Sequence, residues 1–226
     1  MRLSRAGPIF ATAWLLAPAS AARLEEVLAS MDAAAASFRS MTAKIKRTSH
    51  TAIINDNSVE YGTIRVAKSP KGMSFLIDFV GPDPKTYVFS GRKAEIYYPK
   101  VPIVQEYDLG KHKTLVDQFL LLGFGTAGRD LSRNYTIRLV GEKPVDGTKT
   151  FHLELIPKSS EVAEKIRSAE LWVASPGGYS VQQKFLERSG NYMLVVYSEL
   201  KLNEPVPMDS LQLRLPPGVK REFPMK

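Results

Sequence analysis

Cysteine is absent from this chain of 226 residues. No disulfide can form, and no lipid can be attached through a cysteine at the N-terminus. Histidine is nearly absent too. There are three, His50, His112 and His152. Neither an H-E-x-x-H nor a G-x-S-x-G pattern occurs, so the zinc-hydrolase and serine-hydrolase signatures are excluded. His152 alternates with Phe151 and Leu153 on a strand and is expected to point to solvent. His112 sits between two lysines, and His50 lies near a strand end. Nothing gathers them into a site, and a chain without catalytic or metal-binding residues, not an enzyme, is expected. Beyond the N-terminus, long hydrophobic runs are missing, which excludes a later spanning helix.

The N-terminus carries Arg2 and Arg5, then the uncharged stretch Ala6 to Pro18, then Ala19-Ser20-Ala21. A basic start, a short apolar run and small residues at a cleavage position make a secretory leader over 1–21. The alternative is an uncleaved anchor, but the run is short for a span. Residues 22–226 have the length of one domain, large enough for a core without staples. Without Arg2 and Arg5, 29 of the 31 basic residues remain against 23 acidic ones, a net charge of +6. That charge serves solubility and permits transient contact with an anionic membrane surface. No arginine-rich block or basic stripe with aromatics suggests nucleic acid.

Residues 23–41 place Leu24, Val27, Leu28, Met31, Ala35 and Phe38 on one helical stripe. The period then drops to two. Met73, Phe75, Ile77 and Phe79 share one face of a strand at 73–80. The segments 85–89 and 93–98 form a tight hairpin across Ser90-Gly91. Either Tyr87 and Phe89 or Thr86 and Val88 point inward. Further strands are expected at 134–141, 150–156, 168–174, 179–188, 191–202 and, from Leu211, Leu213 and Leu215, a last one at 211–215. A meander of about ten or eleven antiparallel strands curls to hide its edges. The fold class is α+β: a strongly curled, incomplete antiparallel β-barrel, with short α-helices over the open face.

The stretch FLLLGFGTAG, 119–128, contains G-x-G-x-x-G. A dinucleotide fingerprint requires a strand before the glycines and a long helix after them. Only five residues separate Gly128 from the strand-like Asn134, so no crossover helix fits. GEKPVDGTK, 141–149, departs from a phosphate loop in spacing and order, and Asp146-Gly147 reads as a turn. The apolar residues 119–122 fit a short helix. Flanked by Gly123, Gly125 and Gly128, they would make a greasy, hinged lid over an apolar hollow.

The order of features resembles the periplasmic lipoprotein carriers of the LolA/LolB fold. Phe38-Arg-Ser-Met-Thr-Ala resembles the family's entry from helix to strand. Gly62-Thr-Ile-Arg-Val-Ala-Lys-Ser-Pro70 resembles its G-x-L-x-[VL]-x-[KR]-P strand and turn, and Met73, Phe75 and Ile77 its aromatic-rich strand. Gly91 with Tyr97-Tyr98-Pro99, Leu155-Ile156-Pro157, and Leu215-Pro-Pro-Gly218-Val219 resemble later motifs. The resemblance implies a cavity that takes lipoprotein acyl chains, in a monomer without cofactor. It also implies an ABC-type release complex at the inner membrane and an acceptor at the outer membrane. Related carriers place arginine directly before the turn proline, where it helps control the lid. Here Ser69 stands there, and Lys68 is no equivalent hydrogen-bonding fork.

The expected cavity wall is Met73, Phe75, Ile77, Phe79, Ile96 and Tyr98, with Leu24, Leu28 and Met31 from the first helix and Phe119 and Leu120 from the lid. A rival reading is a sensor of the same fold that binds lipid or a membrane-protein domain. An appended second domain would mark that rival, and none is visible in this sequence. A third reading is a carrier of a non-protein lipid.

Overall fold

The computed structural model describes residues 19–69 and 72–224. The expected leader lies outside them except for its last three residues, which open the first helix, α1 (Ala19–Ser37). The helix stops four residues short of the expected end. The Ser37 hydroxyl turns back onto the carbonyls of Ala33 and Ala34, and Met41 instead enters the sheet, where it is 1% exposed.

Six strands follow: β1 (Ser40–Thr51), β2 (Asp56–Ser69), β3 (Gly72–Val80), β4 (Lys85–Ser90), β5 (Lys93–Tyr98) and β6 (Ile103–Asp108). Two short helices, α2 (Lys113–Leu120) and α3 (Gly128–Asn134), interrupt the run. The chain resumes with β7 (Tyr135–Glu142), β8 (Thr150–Pro157), the small helix α4 (Ser160–Lys165), β9 (Ser168–Ala174), β10 (Ser180–Leu186) and β11 (Tyr192–Leu202). A last strand, β12 (Lys220–Glu222), closes the order.

All twelve strands form one sheet, in the order β12-β6-β5-β4-β3-β2-β1-β11-β10-β9-β8-β7. Two meanders are therefore joined where β1 pairs with β11, from Met41–Leu202 to His50–Tyr192. The end strands β12 and β7 are not paired with each other, so the curled sheet is not closed. This is the incomplete barrel expected, with one parallel pair, β12 on β6, at its edge.

The expected strand at 211–215 is not formed. Met208–Leu211 is a short 3-10 turn, and Leu211 packs with Val206 and Leu213 against Ala67, Leu76 and Val88. Pro205, Pro207, Pro216 and Pro217 surround this segment, and proline cannot donate to a ladder. Leu211 and Leu213 thus lie on the back of the sheet without extending it.

Directly opposed residues of neighbouring strands share a face. One inward row reads Ala43, Ile64, Ile77, Tyr87 and Ile96 across β1 to β5. Another reads Arg47, Val195, Gln183, Leu171 and Leu153 across β1 and β11 to β8. Tyr87 and Phe89 therefore face inward, which decides the question left open for that hairpin. The β7–β10 half of this face is filled by α1, α3 and the turn after α2, through Val27, Met31, Leu131 and Leu122 against Leu153, Leu155 and Leu171. Gly128 is needed there, because a Cβ on it would overlap the Leu28 carbonyl. The other half is less completely covered.

Candidate functional site

A hollow of about 740 Å³ remains on the inner face, between the sheet and the helices α2 and α4. From the strands, Ile45, Ile64, Ile77, Phe79, Tyr87 and Phe89 line one wall. Phe185, Met193, Val195 and Tyr197 line the other. Phe119 and Leu120 come from α2, and Ile166 from the chain after α4. The aromatic rings brace each other edge to face: Phe79 on Tyr87 at 6.1 Å, Phe119 on Phe185 at 5.8 Å, and Phe124 on Tyr197 at 4.9 Å between centroids. Such pairs add stiffness beyond the area they bury.

The hollow survives because α2 and α4 are too short to fill it. α2 has eight residues and α4 has six. The sheet meanwhile curls to a radius set by its twist and by the β1–β11 junction. The polar groups inside are partnered. Gln183 donates from Nε2 to the Leu122 carbonyl, and the Tyr197 hydroxyl donates to Gln183 Oε1 at 3.0 Å. Burial pushes the Tyr197 hydroxyl pKa far up, so this ring stays neutral. Most of the wall is apolar, and Gln183 and Tyr197 bond to each other within it.

The same bonds overturn the expected hinge at 119–128. Leu122 and Phe124 are 1% and 3% exposed. The Gly123 carbonyl accepts from the Ser180 amide at 2.8 Å. Gly123 has φ of 81°, and a Cβ there would stand 2.6 Å from Ser180 Cβ. This glycine serves close approach and a left-handed backbone, fixing the segment as a plug. Only Phe119 and Leu120 face the hollow.

Of the expected wall residues, Ile77, Phe79, Phe119 and Leu120 are brought together around the hollow. Phe75 is 0% exposed and lies in the core beside it, edge-on to Phe89 at 6.5 Å. Met73 packs on that same cluster. Leu24, Leu28 and Met31 belong to the core beneath α1. Ile96 and Tyr98 are on the inward face of β5, outside the hollow, at the end of the sheet toward β6. The sequence reading missed Ile45, Ile64, Phe185, Met193, Val195 and Tyr197. Their alternation is visible in the sequence, but the register that joins β1 to β11 is not.

Charged groups gather at one end of the lining: Arg47, Glu164, Lys165 and Glu187. The Arg47 guanidinium lies 4.2 Å over the Phe79 ring, a cation–π contact. It also binds Glu60, which takes Lys85 Nζ at 2.7 Å on its other oxygen. Burial alone would raise the Glu60 pKa; the hydrogen bonds from Lys85 and Arg47 outweigh it and hold the carboxyl below its ordinary range. A depressed carboxyl pKa contributes stability above the unfolded value, near 4.3, and loses it as pH falls through the folded value. Glu60→Gln is therefore expected to lower stability by about 1–2 kcal/mol at pH 7. The gap to the parent should narrow below about pH 4. Denaturant melts at both pH values check this.

The histidines sit on three different elements: His50 on β1, His112 in the 3-10 turn before α2 and His152 on β8. His152 is not free in solvent as expected. It stacks on Trp172 at 4.2 Å, with Nε2 2.7 Å from Glu170, on the back of the sheet. Among the described residues no group of three or more His, Asp or Glu could hold a metal, and no helix is long and apolar enough to cross a membrane.

No family model and no curated protein sequence matches the chain. Solved structures do. MucB matches over 85% of this chain at 17% identity, with a TM-score of 0.54. The chain spans 63% of MucB's own length. An uncharacterised conserved protein from Thermus thermophilus matches at 14% identity and a TM-score of 0.54, over 89% of this chain and 99% of its own. The lipoprotein LppX of Mycobacterium tuberculosis matches at 16% identity and a TM-score of 0.52, over 81% and 98%. At these identities the likeness is one of fold, and the fold is the curled, open antiparallel barrel expected from the sequence.

Proposed function

We propose that this chain is an exported carrier that holds the acyl chains of lipoproteins in the hollow and moves them from the inner to the outer membrane. One observation carries the reading: a hollow of about 740 Å³, walled by aromatic and aliphatic side chains, whose buried amide and hydroxyl are bonded to the protein's own atoms. Away from the charged groups Arg47, Glu164, Lys165 and Glu187, such a space offers little to a polar ligand and much to hydrocarbon. Ten buried methylenes would contribute roughly 8 kcal/mol, ample for retention in transit. The size falls within the range of pockets that bury most of a small ligand. The leader-like N-terminus supports a periplasmic location. An inner-membrane release complex and an outer-membrane acceptor would complete the cycle.

A second reading is favoured by the likeness to MucB, a protein also solved in complex with MucA. In that reading the chain is a sensor of the same fold that binds lipid or a membrane-protein domain and controls a signalling partner. A carrier of a non-protein lipid is the third. Affinity purification of the exported protein, followed by mass spectrometry of everything bound, separates them. Acyl-modified proteins of several kinds are expected. Free lipid alone would point to the third reading, and a single protein without acyl chains to the sensor.

A further inference from the structure

The β1–β2 hairpin runs past the rest of the sheet. On the β11 side its pairing stops at His50–Tyr192, and on the β3 side at Tyr61–Val80. From Glu60 to Asp56, β2 therefore pairs only with β1, while β1 extends past β11 by Thr51 alone before a short turn closes the tip. The tip is nevertheless held in place. Asn191 Oδ1 accepts from the Ala52 amide at 2.9 Å, and His50 stacks on Tyr192 at 4.7 Å.

Ile53 at the tip is 92% exposed and Ile54 68%. Val59, Tyr61 and Val80, lower on the outside of the overhang, are 42%, 56% and 60% exposed. Five of the ten large exposed apolar side chains among the described residues thus stand in one place. Scattered ones would need no explanation, but a cluster on a projecting ribbon does. Lys46 lies opposite Tyr61, is exposed, and is in no ion pair among the described residues. The charged groups of the hairpin between Lys46 and Tyr61 are Lys46, Arg47, Asp56 and Glu60. With Lys85, which joins Glu60, they leave one positive charge in excess.

We propose that this tip docks the protein on an anionic lipid bilayer, with Ile53 and Ile54 entering the interface, Tyr61 at headgroup level and Lys46 against the headgroup phosphates. An isoleucine pair at the apex of a rigid ribbon, with an amphipathic tyrosine and a cation behind it, matches the layering of a membrane surface. A tip led by two isoleucines is small beside the roughly 800 Å² per partner of a stable protein interface, which disfavours a second copy or another protein. Docking would also orient the hollow. Arg47 and Glu187, at its charged end, adjoin the base of the overhang, and Ser49 pairs with Met193 of the wall.

Docking does not require that the hollow hold lipid, so the two are read out separately. The purified protein is mixed with vesicles of phosphatidylcholine alone or of equal parts phosphatidylcholine and phosphatidylglycerol, and bound protein is separated by flotation. Binding to the anionic vesicles is expected. Ile53→Ser/Ile54→Ser should weaken it about tenfold or more, and Lys46→Glu should weaken it on anionic vesicles only. Both positions are exposed, and an unchanged melting temperature confirms folding. In a separate variant, Ile53→Trp, the tryptophan emission should shift to the blue on adding anionic vesicles. Equal binding by parent and double variant, or no shift, overturns the proposal. So does a parent dimer, seen by light scattering, that the double substitution dissociates without changing vesicle binding.

Discussion

Ile77→Glu is expected to weaken binding of a fluorescent palmitoyl probe by about a hundredfold or more, with the melting temperature nearly unchanged. Ile77 is half-buried in the protein but faces the hollow. In the empty protein a carboxylate there keeps access to water. With an acyl chain beside it, it must be desolvated without a partner, at a cost of several kcal/mol. A hundredfold loss of affinity corresponds to only about 2.7 kcal/mol. Fluorescence titration measures it, and unchanged affinity would mean that the chain binds elsewhere.

Two residues away, on the same face of β3, Phe75→Ala should behave in the opposite way. Phe75 is fully buried among Val66, Phe79, Phe124 and Phe89. Removing a buried phenyl ring costs the transfer free energy plus the cavity left behind, about 3–5 kcal/mol in all. For a chain of this size that lowers the melting temperature by roughly 6–20 °C. Calorimetry checks it. Ile77→Ala should cost far less, because Ile77 already borders empty space. If the two alanine variants melted alike, the boundary drawn here between core and hollow would be misplaced.

That boundary shows what the sequence can and cannot carry. The alternation Met73, Phe75, Ile77, Phe79 correctly places four side chains on one face of a strand. It contains nothing about what stands opposite each of them. Phe75 lies in the packed cluster that includes the plug residue Phe124, while Ile77 borders the hollow, and the difference comes from where the 121–125 turn lands. That landing is set by Ser180 and Gln183, about sixty residues further along. The first helix shows the same limit. Its stripe of Leu24, Leu28 and Met31 is plain, but a stripe does not say whether it covers a solid core or a hollow. The curled antiparallel sheet was legible from the hairpin turns. The β1–β11 junction, which brings Met193, Val195 and Tyr197 to face Ile64 and Ile77 across the hollow, rests on a pairing more than 140 residues apart in sequence. The glycines of GFGTAG misled for a related reason: a glycine placed for a tight backbone approach reads the same as one placed for motion.

A palmitoyl lipid carrying a photoreactive diazirine along its chain gives the most direct test of the hollow. After irradiation of the complex and digestion, the account predicts adducts on Ile64, Ile77, Tyr87, Phe119 and Leu120, and their loss in Ile77→Glu. Adducts confined to the outer surface, or spread evenly over the chain, would contradict it.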